Sequence, residues 1–194
     1  MSATLTAARD ALRARQGGGA RYDAASAPAE ALDLARRGAA YFKRLLNDLE
    51  VDALWEPSAR PGWSRRRIIA ATALNARELA QALEDATGQK SERAATGPAA
   101  LDLAETLPER ALRHLAVHAD IHLNVVWRDL SDADWQCRVT LNGRTLTARD
   151  TPQRRAETLW RAALDLDAGG RLRDLPAALI PRIVHYDSRT YSNE

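Results

Sequence analysis

In four stretches of this chain apolar residues recur at steps of three and four, a period that an α-helix satisfies and a strand does not. Residues 29–49 carry Leu32, Leu34, Ala35, Ala39, Phe42, Leu45, Leu46 and Leu49. Arg65 to Glu84 carries Ile68, Ile69, Ala73, Leu74, Leu79, Ala80 and Leu83. A third stretch runs from about Leu101 to Asp129 with a break or bend near Pro108, and a fourth from Thr151-Pro152 to Gly169-Gly170. The punctuation agrees: Pro28 near a helix start, Ser64 as an N-cap, Thr151 as an N-cap before a proline, and paired glycines as a stop. Between the third and fourth stretches, Trp135, Cys137, Val139 and Leu141 alternate with polar residues up to Asn142-Gly143, and Arg144 to Ala148 follows. Asn-Gly between two such runs predicts a hairpin, because both turn positions need positive φ. The pattern predicts an all-α, antiparallel four-helix bundle with one β-hairpin between helices 3 and 4.

Around this body, Leu5, Ala8 and Leu12 suggest a short helix over residues 3–16, broken by Gly17-Gly18-Gly19. Residues 1–20 read as an arm that packs on the body or on a partner, so a homodimer is one expectation. Residues 21–184 read as the bundle, and residues 185–194 as a loose tail. Residues 86–99 are polar and read as a loop. Alanine supplies 39 of 194 residues and aromatics only 5%, which favours close helix packing. Net charge is +2, so nothing points to nucleic acid. Cys137 is the one cysteine, which excludes an intrachain disulfide and a multi-cysteine zinc site. No run of eighteen apolar residues exists, and Asp10 interrupts any signal-like core, so the expectation is a soluble cytoplasmic protein without membrane partners. Lys43 and Lys90 are the only lysines against 26 arginines. A GC-rich gene explains much of that bias, yet arginine also suits fork-like recognition of carboxylates.

Several residues bear chemistry. His114, His118 and His122 lie four apart on the third helix, a spacing at which neighbouring imidazoles share a face and can share a metal. A polar stripe bonded to backbone or water is the plainer reading of the same spacing. Glu157 and Arg161 lie four apart on the fourth helix, either as a solvated ion pair or as an inward carboxylate and guanidinium. Arg65, Arg66 and Arg67 open the second helix, where cations oppose the helix dipole; anion binding or a solvated basic corner would account for them. Cys137 reads as core rather than nucleophile.

The segment Pro57 to Ala71, with its Pro61-Gly62-Trp63 and the following Leu74-Asn75-Ala76, resembles the mycothiol-dependent maleylpyruvate isomerases of the DinB-like superfamily. The hairpin and Arg154 to Gly169 resemble them too, and the resemblance covers about residues 20–170. It implies a metal, usually zinc, held by a histidine of the second helix and a glutamate and histidine of the fourth. Here Ala71 and Arg161 stand at the two histidine positions and only Glu157 matches. Alanine cannot coordinate and guanidinium offers no lone pair. Two repairs are open: a relocated metal on His118, His122 and Glu157, or a metal-free pocket in which Arg161 supplies the charge. The second is favoured. The implied activity is an isomerase acting on a small dicarboxylate or its thiol adduct, with mycothiol or glutathione as the thiol. Glu157, Arg161 and His118 are the catalytic candidates, and Trp63, Arg67, Asn75 and His122 the substrate-binding ones. The alternative is a non-catalytic ligand-binding or protein-interaction module. Only 25 residues follow Gly169, so the small C-terminal domain of many members is expected to be missing.

Overall fold

Helix α1 (Ala29–Asp48) opens the bundle in a computed structural model that describes residues 23–89 and 93–184. The arm at residues 1–20 and the tail at 185–194 lie outside those residues. A 3₁₀ turn (Asp52–Trp55) leads through a proline-rich loop to α2 (Arg65–Thr87). Ser64 is extended and its Oγ accepts the Arg67 N–H at 3.0 Å, so it is the expected N-cap. At the far end Gly88, at φ 72°, ends α2 in the left-handed conformation, one turn later than the periodicity suggested.

The third expected helix is two helices, α3 (Pro98–Glu105) and α4 (Glu109–Asp129). Pro108 sits between them at φ −51°, ψ 147°, an extended residue with no N–H to give. Strands β1 (Arg138–Leu141) and β2 (Arg144–Thr147) pair antiparallel with Leu141 opposite Arg144. Asn142 and Gly143 both have positive φ, 50° and 72°, as a type I′ turn requires. Val139 and Leu146 face each other across the ladder and are both buried. The last helix, α5 (Thr151–Asp165), begins differently from expectation. Thr151 is already helical and buried; its hydroxyl donates to the Ala148 carbonyl and accepts the Trp127 indole N–H. The cap lies a turn earlier, where Asp150 accepts from both the N–H and the hydroxyl of Thr147.

Side-chain contacts fix the directions. Leu34 and Gly38 meet Trp160 while Leu45 meets Gly170, so α1 and α5 run the same way. Arg66 reaches Leu107 and Glu84 reaches His122, so α2 and α4 also run together. Arg36 bonds Asn124 while Arg113 bonds the Leu46 carbonyl, so the two pairs oppose each other. The chain therefore runs up, down, down, up, and α3 lies on the crossover that this order requires. The helices form a ring of α1, α5, α2 and α4, and the seam between α4 and α1 is the loosest. Gly38 lets α1 and α5 close: a Cβ there would come within 2.9 Å of the Trp160 ring nitrogen.

Candidate functional site

Glu157 and Arg161 lie one turn apart on α5, both partly buried. The wall beside them comes from the C-terminal segment, which Leu175, Leu179 and Ile183 anchor in the core at 6%, 0% and 1% exposure. From that segment Arg182 donates to Glu157 Oε1 at 2.9 Å, and the Ile183 carbonyl accepts from Arg161 Nη2 at 3.4 Å. Gln153 donates to the same Glu157 oxygen at 3.1 Å. The carboxylate is thus held between amide and guanidinium donors, with a second guanidinium one turn along the same helix.

The histidine stripe does not join this face. His118 is exposed on α4, its ring 3.8 Å from that of His114. His122 turns to α2, where its Nε2 lies 2.9 Å from Oε1 of the buried Glu84. The relocated metal site on His118, His122 and Glu157 is therefore not assembled, because each of the three has been drawn to a different neighbour. Among the described residues no group of three histidine, cysteine or carboxylate side chains is placed to hold a metal. The inherited positions do not fit one either: Ala71 has no donor, and the Arg161 guanidinium has no lone pair and is a cation.

The arginine run at the start of α2 is bonded to helix ends and to carboxylates. Arg65 donates to the carbonyls of Leu166 and Asp167 at 3.0 and 2.7 Å, closing the end of α5. Arg66 is 2% exposed, donates to the carbonyls of Glu105 and Leu107 at the end of α3, and lies 4.2 Å over Trp55. Arg67 pairs with Asp102 and Glu105 at 2.9 and 2.7 Å, and those carboxylates hold it more firmly in its charged form, Glu105 foremost. Cations that oppose their own helix dipole thus neutralise the C-terminal ends of two others. Trp63 lies under the guanidinium of Arg60 at 3.7 Å and near that of Arg67 at 5.1 Å, so it packs into the same structural cluster. Cys137 is half-buried with its thiol toward the Ala133 carbonyl.

Asn75 leads to the polar centre that the periodicity did not single out. Its Oδ1 accepts from Arg155 Nη1 at 2.9 Å. Arg155 is 1% exposed; it also donates to the Thr72 carbonyl at 2.8 Å and to Asp120 Oδ1 at 2.6 Å. One guanidinium therefore ties α5 to α2 and α4. The signal was present, since Arg155 sits four residues after Thr151 and four before Leu159 on the buried stripe of α5. A charge on that stripe requires a partner.

The chain is similar to known proteins in sequence and fold. The family described as the mycothiol maleylpyruvate isomerase N-terminal domain matches residues 35–167. Among solved structures, the mycothiol-dependent maleylpyruvate isomerase is 31% identical with a TM-score of 0.72, over 80% of this chain and 67% of that one. A histidine-to-alanine mutant of that enzyme matches at 32% identity, the same TM-score and the same coverage. No curated protein matches the chain.

Proposed function

This chain belongs to the mycothiol maleylpyruvate isomerase N-terminal domain family, and on that premise we propose that it is an isomerase-type enzyme acting on a small dicarboxylate or its thiol adduct. The observation that carries the reading is the partly buried Glu157 carboxylate held by Arg182 at 2.9 Å, with Arg161 one turn away. In the reaction a low-molecular-weight thiolate adds to one carbon of the cis double bond. The π electrons pass to the conjugated carbonyl as an enolate, the new single bond turns, and the enolate expels the thiolate to leave the trans product. Arg161 binds a substrate carboxylate and stabilises the enolate charge. Glu157 positions Arg182 as the second cationic contact. The donor set favours doing this without the family's metal: a guanidinium at a ligand position supplies fixed positive charge but no coordination. Trp63, Arg67, Asn75 and His122 belong to the clusters described above, and this reading assigns substrate binding to the α5 face and the C-terminal segment.

The test is cis–trans isomerisation of maleylpyruvate followed by absorbance, with mycothiol or glutathione, beside elemental analysis of the purified protein. Glu157→Gln and Arg161→Met are each expected to lower kcat/KM by about 10²-fold, the scale of losing one charge-stabilising contact. No turnover with either thiol would overturn the enzyme reading. One metal per chain that is lost in Glu157→Gln would overturn the metal-free one.

A further inference from the structure

An open groove of about 730 Å³ lies between α2 and the first half of α4. Arg110, His114 and His118 stand on successive turns of α4 along it, and Arg77 lines it from α2. The two imidazoles are stacked, with ring centroids 3.8 Å apart. Neither Glu157 nor Arg161 lines the groove, so it is separate from the face described above.

Its charge is one-sided. Among the described residues no carboxylate lines it. The acidic side chains on the neighbouring turns are engaged elsewhere: Glu105 with Arg67, Glu109 with Arg113 and Glu84 with His122. Glu78 follows Arg77 in sequence but does not line the groove. Arg36, Arg113 and Arg155 are each held by a carboxylate. Arg77 and Arg110 have no hydrogen bond or ion pair among the described residues. A concave surface lined by one sign of charge concentrates ions of the other. Two guanidiniums without a carboxylate also weigh against a divalent cation on the imidazole pair, although the spacing alone would suit one. Leu107, Pro108 and Leu115 line the same groove, so a few charges converge on an apolar surface, the usual form of a small-molecule site.

We propose that this groove binds a small organic dianion of the phosphate-monoester type, its phosphoryl oxygens on Arg77, Arg110 and the imidazoles and its organic part on Leu107 and Pro108. Two negative charges match the two permanent positive ones. Three terminal oxygens on one atom accept from several donors at once, where a planar carboxylate offers two, and the arginine fork suits them. The histidines add positive charge as they take up protons between about pH 8 and pH 5. Among the described residues Arg77 and Arg110 are the other titratable side chains that line the groove.

The experiment is calorimetric titration of the full chain with phenyl phosphate, with benzenesulfonate as a control that keeps the ring and carries one charge. Saturable binding of one phenyl phosphate per chain is expected, at least tenfold tighter than benzenesulfonate. Arg77→Gln and Arg110→Gln, at a half-buried and an exposed position, are each expected to weaken it at least tenfold in protein that retains its cooperative thermal transition. Inorganic sulfate keeps both charges at pH 6 and at pH 8, so any change in its binding belongs to the protein. It is expected to bind more tightly at pH 6, and the difference is expected to vanish when His114→Gln and His118→Gln are combined. No saturable binding of phenyl phosphate, benzenesulfonate binding as tightly, binding unchanged in both arginine variants, or a pH dependence that survives loss of both histidines would overturn the proposal.

Discussion

Gly38 shows how a single atom sets the spacing of two helices. Glycine inside a helix is unfavourable by about 1 kcal/mol against alanine. Here the missing Cβ lets Trp160 lie against α1, where its indole N–H donates to the Leu34 carbonyl at 3.1 Å and its ring stacks on Tyr41 at 5.0 Å. A methyl group at Gly38 would press within 2.9 Å of Trp160 and 3.1 Å of Leu159. Overpacking of that kind is destabilising by about 1–3 kcal/mol. Gly38→Ala should therefore lose about 1 kcal/mol net despite its better helix propensity, which a urea titration would read. A gain in stability would mean that Trp160 moves aside freely. Tyr41 binds again at its hydroxyl, which donates to Asp174 at 2.7 Å. That bond pulls the Asp174 carboxyl below its ordinary range, while burial pushes the Tyr41 hydroxyl up.

Elements are held by their ends. The capping box before α5 places Asp150 on the N–H and hydroxyl of Thr147, and the hydroxyl bond is the chief cause of a carboxyl pKa below the usual value. A carboxyl whose pKa is lower folded than unfolded stabilises the fold above the ordinary carboxylate range. That contribution disappears as pH falls through the folded value. Asp150→Asn should accordingly be less stable than the wild type at pH 7 by about 1 kcal/mol or less, the scale of a cap. The gap should close between about pH 5 and pH 2. Thermal melts across that range would show it, and a gap independent of pH would remove the carboxylate from the account. The arginines that open α2 work on the same scale: Arg66→Leu strands the Glu105 and Leu107 carbonyls and is expected to cost about 2–3 kcal/mol by denaturant titration.

At the scale of the whole molecule, the up-down-down-up order leaves α1 and α4 as loosely joined neighbours, and Arg155 compensates from within. It bonds α2 through Thr72 and Asn75 and α4 through Asp120. Removing one member of a buried pair costs about 3–5 kcal/mol, chiefly because the other charge is left uncompensated. Asp120 is 24% exposed, so water recovers part of its share, and about 3 kcal/mol is expected for Arg155→Met. A double-mutant cycle with Asp120→Asn should return a coupling of at least 1 kcal/mol. Additive losses would mean that Arg155 acts through its carbonyl bonds alone. Among the described residues no helix is long and apolar enough to cross a membrane.

The helices, the hairpin and its turn follow from the sequence because they rest on local physics: the period of apolar residues, glycines and asparagine at positive φ, and a serine at a helix start. Family membership was legible for the same reason, in the Pro61-Gly62-Trp63 signature and the helix of Glu157. Where side chains such as His118, Arg67 and Asn75 go was not legible. Spacing along a helix fixes which residues share a face but not which neighbour that face meets. The tertiary structure sent His122 to Glu84, turned three arginines into caps and ion pairs, and laid the C-terminal segment against Glu157. These are contacts between residues far apart in the chain, decided by the order in which the helices ring the core. It also brought Arg155, an apparent flaw in an apolar stripe, to the point where three helices converge.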